Sequence, residues 1–158
     1  MSMQPALNAS EERIGLPAGI GVRFLLTGND TNGSMSVFEM TVPAGGKVPV
    51  PAHKNDAYEE TLYGLQGVLT WTIDGQRFEV GPGQAVCIPR GAVHRFDNFG
   101  REDVKQLAVI SPAIMGPAYF REVVDTARAS AGGPPDPKAM VALFKRHGMT
   151  LAAPPAPQ

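Results

Sequence analysis

The chain is short of almost everything that marks a secreted, membrane-spanning or nucleic-acid-binding protein. Its 158 residues include a single cysteine, Cys87, which excludes an intramolecular disulfide. The start Met-Ser-Met-Gln-Pro-Ala-Leu-Asn has neither the basic nor the apolar region of a signal peptide. No apolar run approaches the roughly 20 residues needed to cross a bilayer. These absences predict a cytoplasmic protein with no membrane partner. Charge of one sign is lacking too: 14 Lys and Arg stand against 15 Asp and Glu, with no block of either. Nothing therefore supplies an electrostatic footprint for nucleic acid, and the expected partner is a small molecule.

Glycine and proline, by contrast, are plentiful at 18 and 15 residues. They sit between short apolar runs, which predicts an all-β fold with many corners. A chain of this length makes one domain, burying roughly 70% of the surface that its unfolded form exposes. Residues 1–18 mix polar and small side chains without a period and read as an N-terminal arm or edge segment. Residues 19–112 carry the strands, at Gly21 to Leu26, Ser36 to Val42, Thr61 to Leu65, Ala85 to Ile88, Val93 to Phe96 and Val104 to Ile110. The clearest local signal is Leu69 to Ile73, then Asp74-Gly75, then Gln76 to Val80. Asp-Gly between two alternating strands demands a two-residue hairpin of the primed type. That register sets Trp71 opposite Phe78 and Leu69 opposite Val80 on a core face. Strands at this density suggest a sandwich or barrel.

After Ser111-Pro112 the apolar period lengthens from two to about 3.6. Residues 113–148 predict two helices. Pro117 opens the first, with Tyr119, Phe120, Val123, Val124 and Ala127 as its stripe. Asp136 caps the second, which carries Met140, Val141, Leu143 and Phe144 inward and stops at Gly148. Residues 149–158, rich in Ala and Pro, are expected to be a disordered tail.

The residues able to do chemistry gather in two places. His53 and Asn55 are two apart, so on a strand both leave the same face. Glu59 and Glu60 open the next strand with opposite parity, and only one of them faces inward. Downstream, Gly83, Pro89 and Gly91 punctuate a strand and a tight turn, and His94 follows at once, with Asn98 beyond it. In any β-protein such glycines and prolines serve turns. The imidazole delivered straight after the turn makes the segment half of a candidate metal site.

At both places the sequence resembles the cupin family. Its first motif is met by Gly46, His53-Lys-Asn55, Glu60 and Gly67, and its second at every fixed position by Gly83, Pro89, Gly91, His94 and Asn98. The resemblance covers residues 46–98. It implies a cupin-type double-stranded β-helix, a jelly-roll barrel with the two C-terminal helices appended, and a divalent transition metal in its mouth. Carried over residue by residue, His53, Glu60 and His94 occupy ligand positions. The family's spacing favours Glu60 over Glu59. Asn55 departs from the pattern, standing where the family has a second histidine, and an amide oxygen is a far poorer ligand than imidazole. Either Asn55 is a weak fourth ligand or orients a bound water, or tight metal binding has been lost and the pocket serves another purpose. Fe, Mn, Ni, Co, Zn and Cu are all compatible with two histidines and a carboxylate.

The resemblance further implies an oxidoreductase of the quercetinase-like, dioxygenase type acting on a small organic substrate, with Glu60 able to accept the substrate's proton. A non-catalytic binding barrel with weak or no metal, and a metal-assisted isomerase or lyase, share the same residues. Tyr63 and Phe96 are the expected neighbours of a substrate in the lumen. Cys87, within Ala-Val-Cys-Ile, reads as a core residue. His147, beside Lys145 and Arg146, reads as a cation at a helix C-terminus. Exposed sheet edges and an apolar N-terminal segment predict a homodimer.

Overall fold

The structure, a computed structural model, describes residues 4–46 and 48–153. Eleven strands and two α-helices follow one another among these residues. Strands β1 (Arg13–Gly15), β2 (Gly21–Leu26) and β3 (Ser36–Val42) lead to β4 (His53–Asn55) and β5 (Glu59–Gln66). The hairpin β6 (Leu69–Ile73) and β7 (Gln76–Val80) comes next, then β8 (Ala85–Ile88), β9 (His94–Asp97) and β10 (Val104–Ser111). Helices α1 (Pro117–Ala129) and α2 (Pro137–Arg146) precede a last strand, β11 (Met149–Leu151).

The strands form two sheets, a six-stranded one in the order β1-β2-β3-β10-β5-β8 and a five-stranded one in the order β11-β4-β9-β6-β7. From β3 to β6 and again from β7 to β11 consecutive strands alternate between the sheets, as in a jelly roll, while β1–β3 and the β6–β7 hairpin each stay within one sheet. Alternation along each strand decides what lies between them. In β3 every second residue, Ser36, Phe38, Met40 and Val42, is buried, and β10 repeats the pattern with Val104, Gln106, Ala108 and Ile110. Phe24 and Phe38 pack ring to ring at 5.1 Å, and Phe120 of α1 closes on Phe38 at 5.3 Å. Gln106 of β10 makes polar contacts across the interior: Trp71 Nε1 of β6 donates to Gln106 Oε1 at 3.0 Å, and Gln106 Nε2 donates to the Val80 carbonyl at 3.3 Å. Both side chains are fully buried, so each satisfies the other where water is excluded.

The β6–β7 hairpin has the register that its alternation predicts, with Leu69 opposite Val80 and Trp71 opposite Phe78. Asp74 and Gly75 both adopt positive φ, 47° and 80°, as a type I′ turn requires. The helices also begin and end where their stop signals stand. Pro117 opens α1, and the Asp136 carboxylate accepts the Lys138 amide to cap α2.

Of the two readings of residues 1–18, the edge segment describes Arg13–Gly15, which adds β1 to the edge of β2. Three expectations are corrected. The tail begins later than residue 149, because Met149–Leu151 pairs with β4, Met149 facing Asn55 and Leu151 facing His53. The predicted disorder of residues 154–158 lies outside the described residues. Val141 does not face inward but is 53% exposed, on the side of α2 away from Leu143 and Phe144. Cys87 is exposed: β8 is an edge strand, and Cys87 stands on its outer face opposite Thr61 while Ile88 turns inward.

Candidate functional site

Strand pairing brings the two candidate segments together. β4 and β9 are antiparallel neighbours, and His53 and His94 are direct cross-strand partners, which puts their side chains on one face of the sheet at the closest inter-strand approach. The imidazoles meet at 4.4 Å between centroids. His94 owes its place to the turn before it, where Gly91 takes φ 80° and donates its amide to the Asn55 carbonyl at 2.8 Å. Glu60 reaches the same point from β5, in the facing sheet. The site therefore spans the lumen.

All four side chains, His53, Asn55, Glu60 and His94, are buried. Each histidine has one nitrogen committed. His53 Nδ1 lies 2.9 Å from the Pro51 carbonyl and His94 Nδ1 lies 2.9 Å from the Ala92 carbonyl. A carbonyl only accepts, so both Nδ1 atoms carry hydrogen and each Nε2 is left for the interior. His94 Nε2 stands 3.6 Å from Glu60 Oε2, an ion-pair distance rather than a hydrogen bond. Asn55 Nδ2 donates to that same Glu60 Oε2 at 3.1 Å, while Asn55 Oδ1 is buried with no donor among the described residues. The Tyr58 hydroxyl is likewise buried without a partner.

The charges follow from this packing. Burial works to raise the pKa of Glu60, but the His94 contact and charge, His53 and the Asn55 amide outweigh it, and the carboxyl is held below its usual range. Burial works to lower the pKa of His94, but the adjacent Glu60 carboxylate more than offsets it, and the net direction is up. His53 has no such partner. Burial first, and then the charge of His94, lower its pKa to about 4. The centre therefore sets a carboxylate against a His94 that holds its proton more firmly than a free imidazole does, beside a His53 that is neutral at pH 7.

A cavity of about 240 Å³ opens onto this cluster, with His53, Glu60, His94 and Tyr119 in its lining. Phe38, Trp71 and Phe96 form its barrel wall. Phe144 of α2 packs edge-on against His53 at 5.3 Å. Tyr63 is not in the lumen. It is 43% exposed on the outer face, because it shares the parity of Glu59 and Thr61 in β5 and not that of Glu60 and Leu62. Glu59 itself pairs at the surface with Arg90, 2.8 Å away. Asn98 makes no contact with the centre, holding instead the Val42 and Glu102 carbonyls and the Gly100 amide. His147 sits at the end of α2 and bonds Glu122 at 2.9 Å. Sequence reasoning missed Tyr119 and Trp71 as lining residues. The helical stripe and the hairpin's core face marked both as buried, without saying that they border a void.

A cupin-domain family model matches residues 38–110, and an uncharacterized protein of Methanocaldococcus jannaschii is 35% identical over 92 residues, 58% of this chain and 72% of that protein. The chain belongs to the cupin family. A quercetin 2,3-dioxygenase of Bacillus subtilis is 27% identical to this cupin over 103 residues, 65% of this chain and 29% of that enzyme, so the chain spans under a third of that relative's length. Among solved structures, KdgF from Halomonas sp. superposes with a TM-score of 0.58 at 17% identity, covering 70% of this chain and 94% of KdgF. At that identity the likeness concerns the fold. The position at which the family carries its second histidine is occupied by Asn55, which binds Glu60.

The donors of this cupin fit a divalent transition metal in kind. Two imidazole Nε2 atoms with anchored Nδ1 groups and one buried carboxylate make a three-ligand set with open positions. In spacing the set is looser, since no three His, Cys, Asp or Glu side chains among the described residues stand close enough to hold an ion. The atom that Asn55 could offer an ion is Oδ1, a poor ligand beside imidazole, which is buried with no donor among the described residues while its amide hydrogen is spent on the Glu60 carboxylate.

Proposed function

We propose that this cupin is a metal-dependent oxidoreductase of dioxygenase type, acting on a small organic molecule in the barrel lumen. The carrying observation is the buried trio of His53, Glu60 and His94 at the foot of a largely apolar cavity. These three would hold a divalent transition metal, which when bound supplies a Lewis-acidic centre with vacant positions for a substrate oxygen and for dioxygen. The protein's own part is separate. The backbone carbonyls of Pro51 and Ala92 fix both rings, the apolar wall excludes water, and Glu60 is placed to take a substrate proton. The relationship to a quercetin dioxygenase supports the class of reaction and leaves the substrate open.

The test is metal content and oxygen uptake. Apo protein incubated with Fe(II), Mn(II), Co(II) or Ni(II) should retain about one ion per chain, and His94→Ala should retain none. Absence of bound metal in both would overturn the reading. A second reading, a ligand-binding barrel with weak metal affinity, is favoured by the Asn55–Glu60 hydrogen bond, which occupies a lone pair that a metal would use. Turnover of substrate without oxygen consumption would instead mark an isomerase or lyase.

A further inference from the structure

Resting on the same cavity, we infer that the ligand of this cupin is an uncharged, mainly hydrocarbon or aromatic molecule with its oxygen at one end, and that anionic metabolites are selected against. Apart from Trp71, polar side chains in the lining are confined to Tyr119 and to His53, Glu60 and His94, which meet at one point. Among the described residues that line it, none is Arg or Lys, and the only formal charges are the Glu60 carboxylate and its His94 partner. A phosphate or carboxylate brought into this wall would lose its hydration and meet no cation other than His94, whose charge Glu60 already offsets. The one polar nitrogen of the barrel wall, Trp71 Nε1, is already spent on Gln106. A hydrocarbon body finds complementary surface on every side, while an oxygen finds donors and acceptors only at that point and at Tyr119.

The apolar surface is assembled largely from outside the region that the family model matches. Leu16 and Ile20 come from before residue 38, and Val123, Ala127, Met140 and Phe144 come from α1 and α2, beyond residue 110. Selectivity therefore resides largely in segments that flank the region matched by the family model.

The chain carries one tryptophan, and it lines the cavity, so fluorescence reports occupancy directly. The full chain, stripped of metal with EDTA, would be titrated with 4-ethylphenol, 4-ethylbenzoate and 4-ethylphenyl phosphate, which share a hydrocarbon body and differ in charge. 4-Ethylphenol should perturb Trp71 emission saturably and bind about tenfold or more tightly than either anion. Met140→Arg, at a half-buried helical position in the wall, should narrow or invert that preference. Equal or tighter binding of an anion by the unaltered chain, or no binding of 4-ethylphenol, would overturn the inference even if the variant fails to fold. Selectivity for the phenol in a protein that takes up no metal would uphold it while overturning the metal-dependent activity.

Discussion

Asn55 sets the character of the centre more than any other single residue. Its amide holds Glu60 by a bond that an imidazole, presenting Nε2 to an ion, would not make. Asn55→His should therefore add a donor and release the carboxylate, raising affinity for Co(II) or Ni(II) by about tenfold or more. Competition with a chromogenic chelator would measure it, and a loss of affinity would mean that the Asn55–Glu60 bond is what positions the ligands. Protons compete at the same atoms. His94 is raised above the ordinary histidine value by the Glu60 carboxylate, so it gives up its proton at a higher pH than a free imidazole does. Binding of an ion at Nε2 must displace that proton. Apparent affinity should climb about tenfold per pH unit below the pKa of His94 and level off above it. His53, already neutral down to about pH 4, should add no further step near neutrality. Calorimetric titration in two buffers of different ionisation enthalpy would count the released proton, and a value of zero below the ordinary histidine pKa would contradict this electrostatic account.

Among the elements, the two sheets are joined across the interior by the Trp71–Gln106 hydrogen bond, in addition to Asn55–Glu60. Gln106→Leu keeps the volume but leaves the Trp71 N–H without a partner in a dry interior. The expected cost is about 1–3 kcal/mol, read as a lower urea midpoint with an unchanged slope. A loss below about 0.5 kcal/mol would show that the indole finds another acceptor. The helices act differently. They close the barrel mouth through one stripe each, and their starts and stops were legible because Pro117, Asp136 and Gly148 mark them chemically. Val141 was misplaced because a stripe drawn from four apolar residues is wider than the face that α2 buries. β11 was invisible, since three residues carry no period and the pairing with β4 is a long-range event.

For the whole molecule, no helix among the described residues is long and apolar enough to cross a membrane. The outer face of the six-stranded sheet presents Tyr63 and Leu65, 43% and 41% exposed, beside Cys87. We propose that this face is shared between two copies in a homodimer, as its apolar side chains and the open edge at β8 favour. Light scattering at micromolar concentration should give twice the chain mass, and a monomer would contradict it.

Turn chemistry and period-two parity already stand in the sequence. From them followed the hairpin register, the opposite facing of Glu59 and Glu60 and the shared face of His53 and Asn55, because a strand's side chains alternate by covalent geometry alone, whereas the choice of Glu60 as the inward one came from the family's spacing. The same parity, applied to Tyr63, would have excluded it from the lumen. What the tertiary structure decided is which buried faces look at one another. His53 opposite His94, Asn55 turned to Glu60, Cys87 on an outer edge and an uncharged wall built from both ends of the chain all depend on contacts between distant segments. Local periodicity states that a residue is buried; only the packing of the sheets and helices states against what.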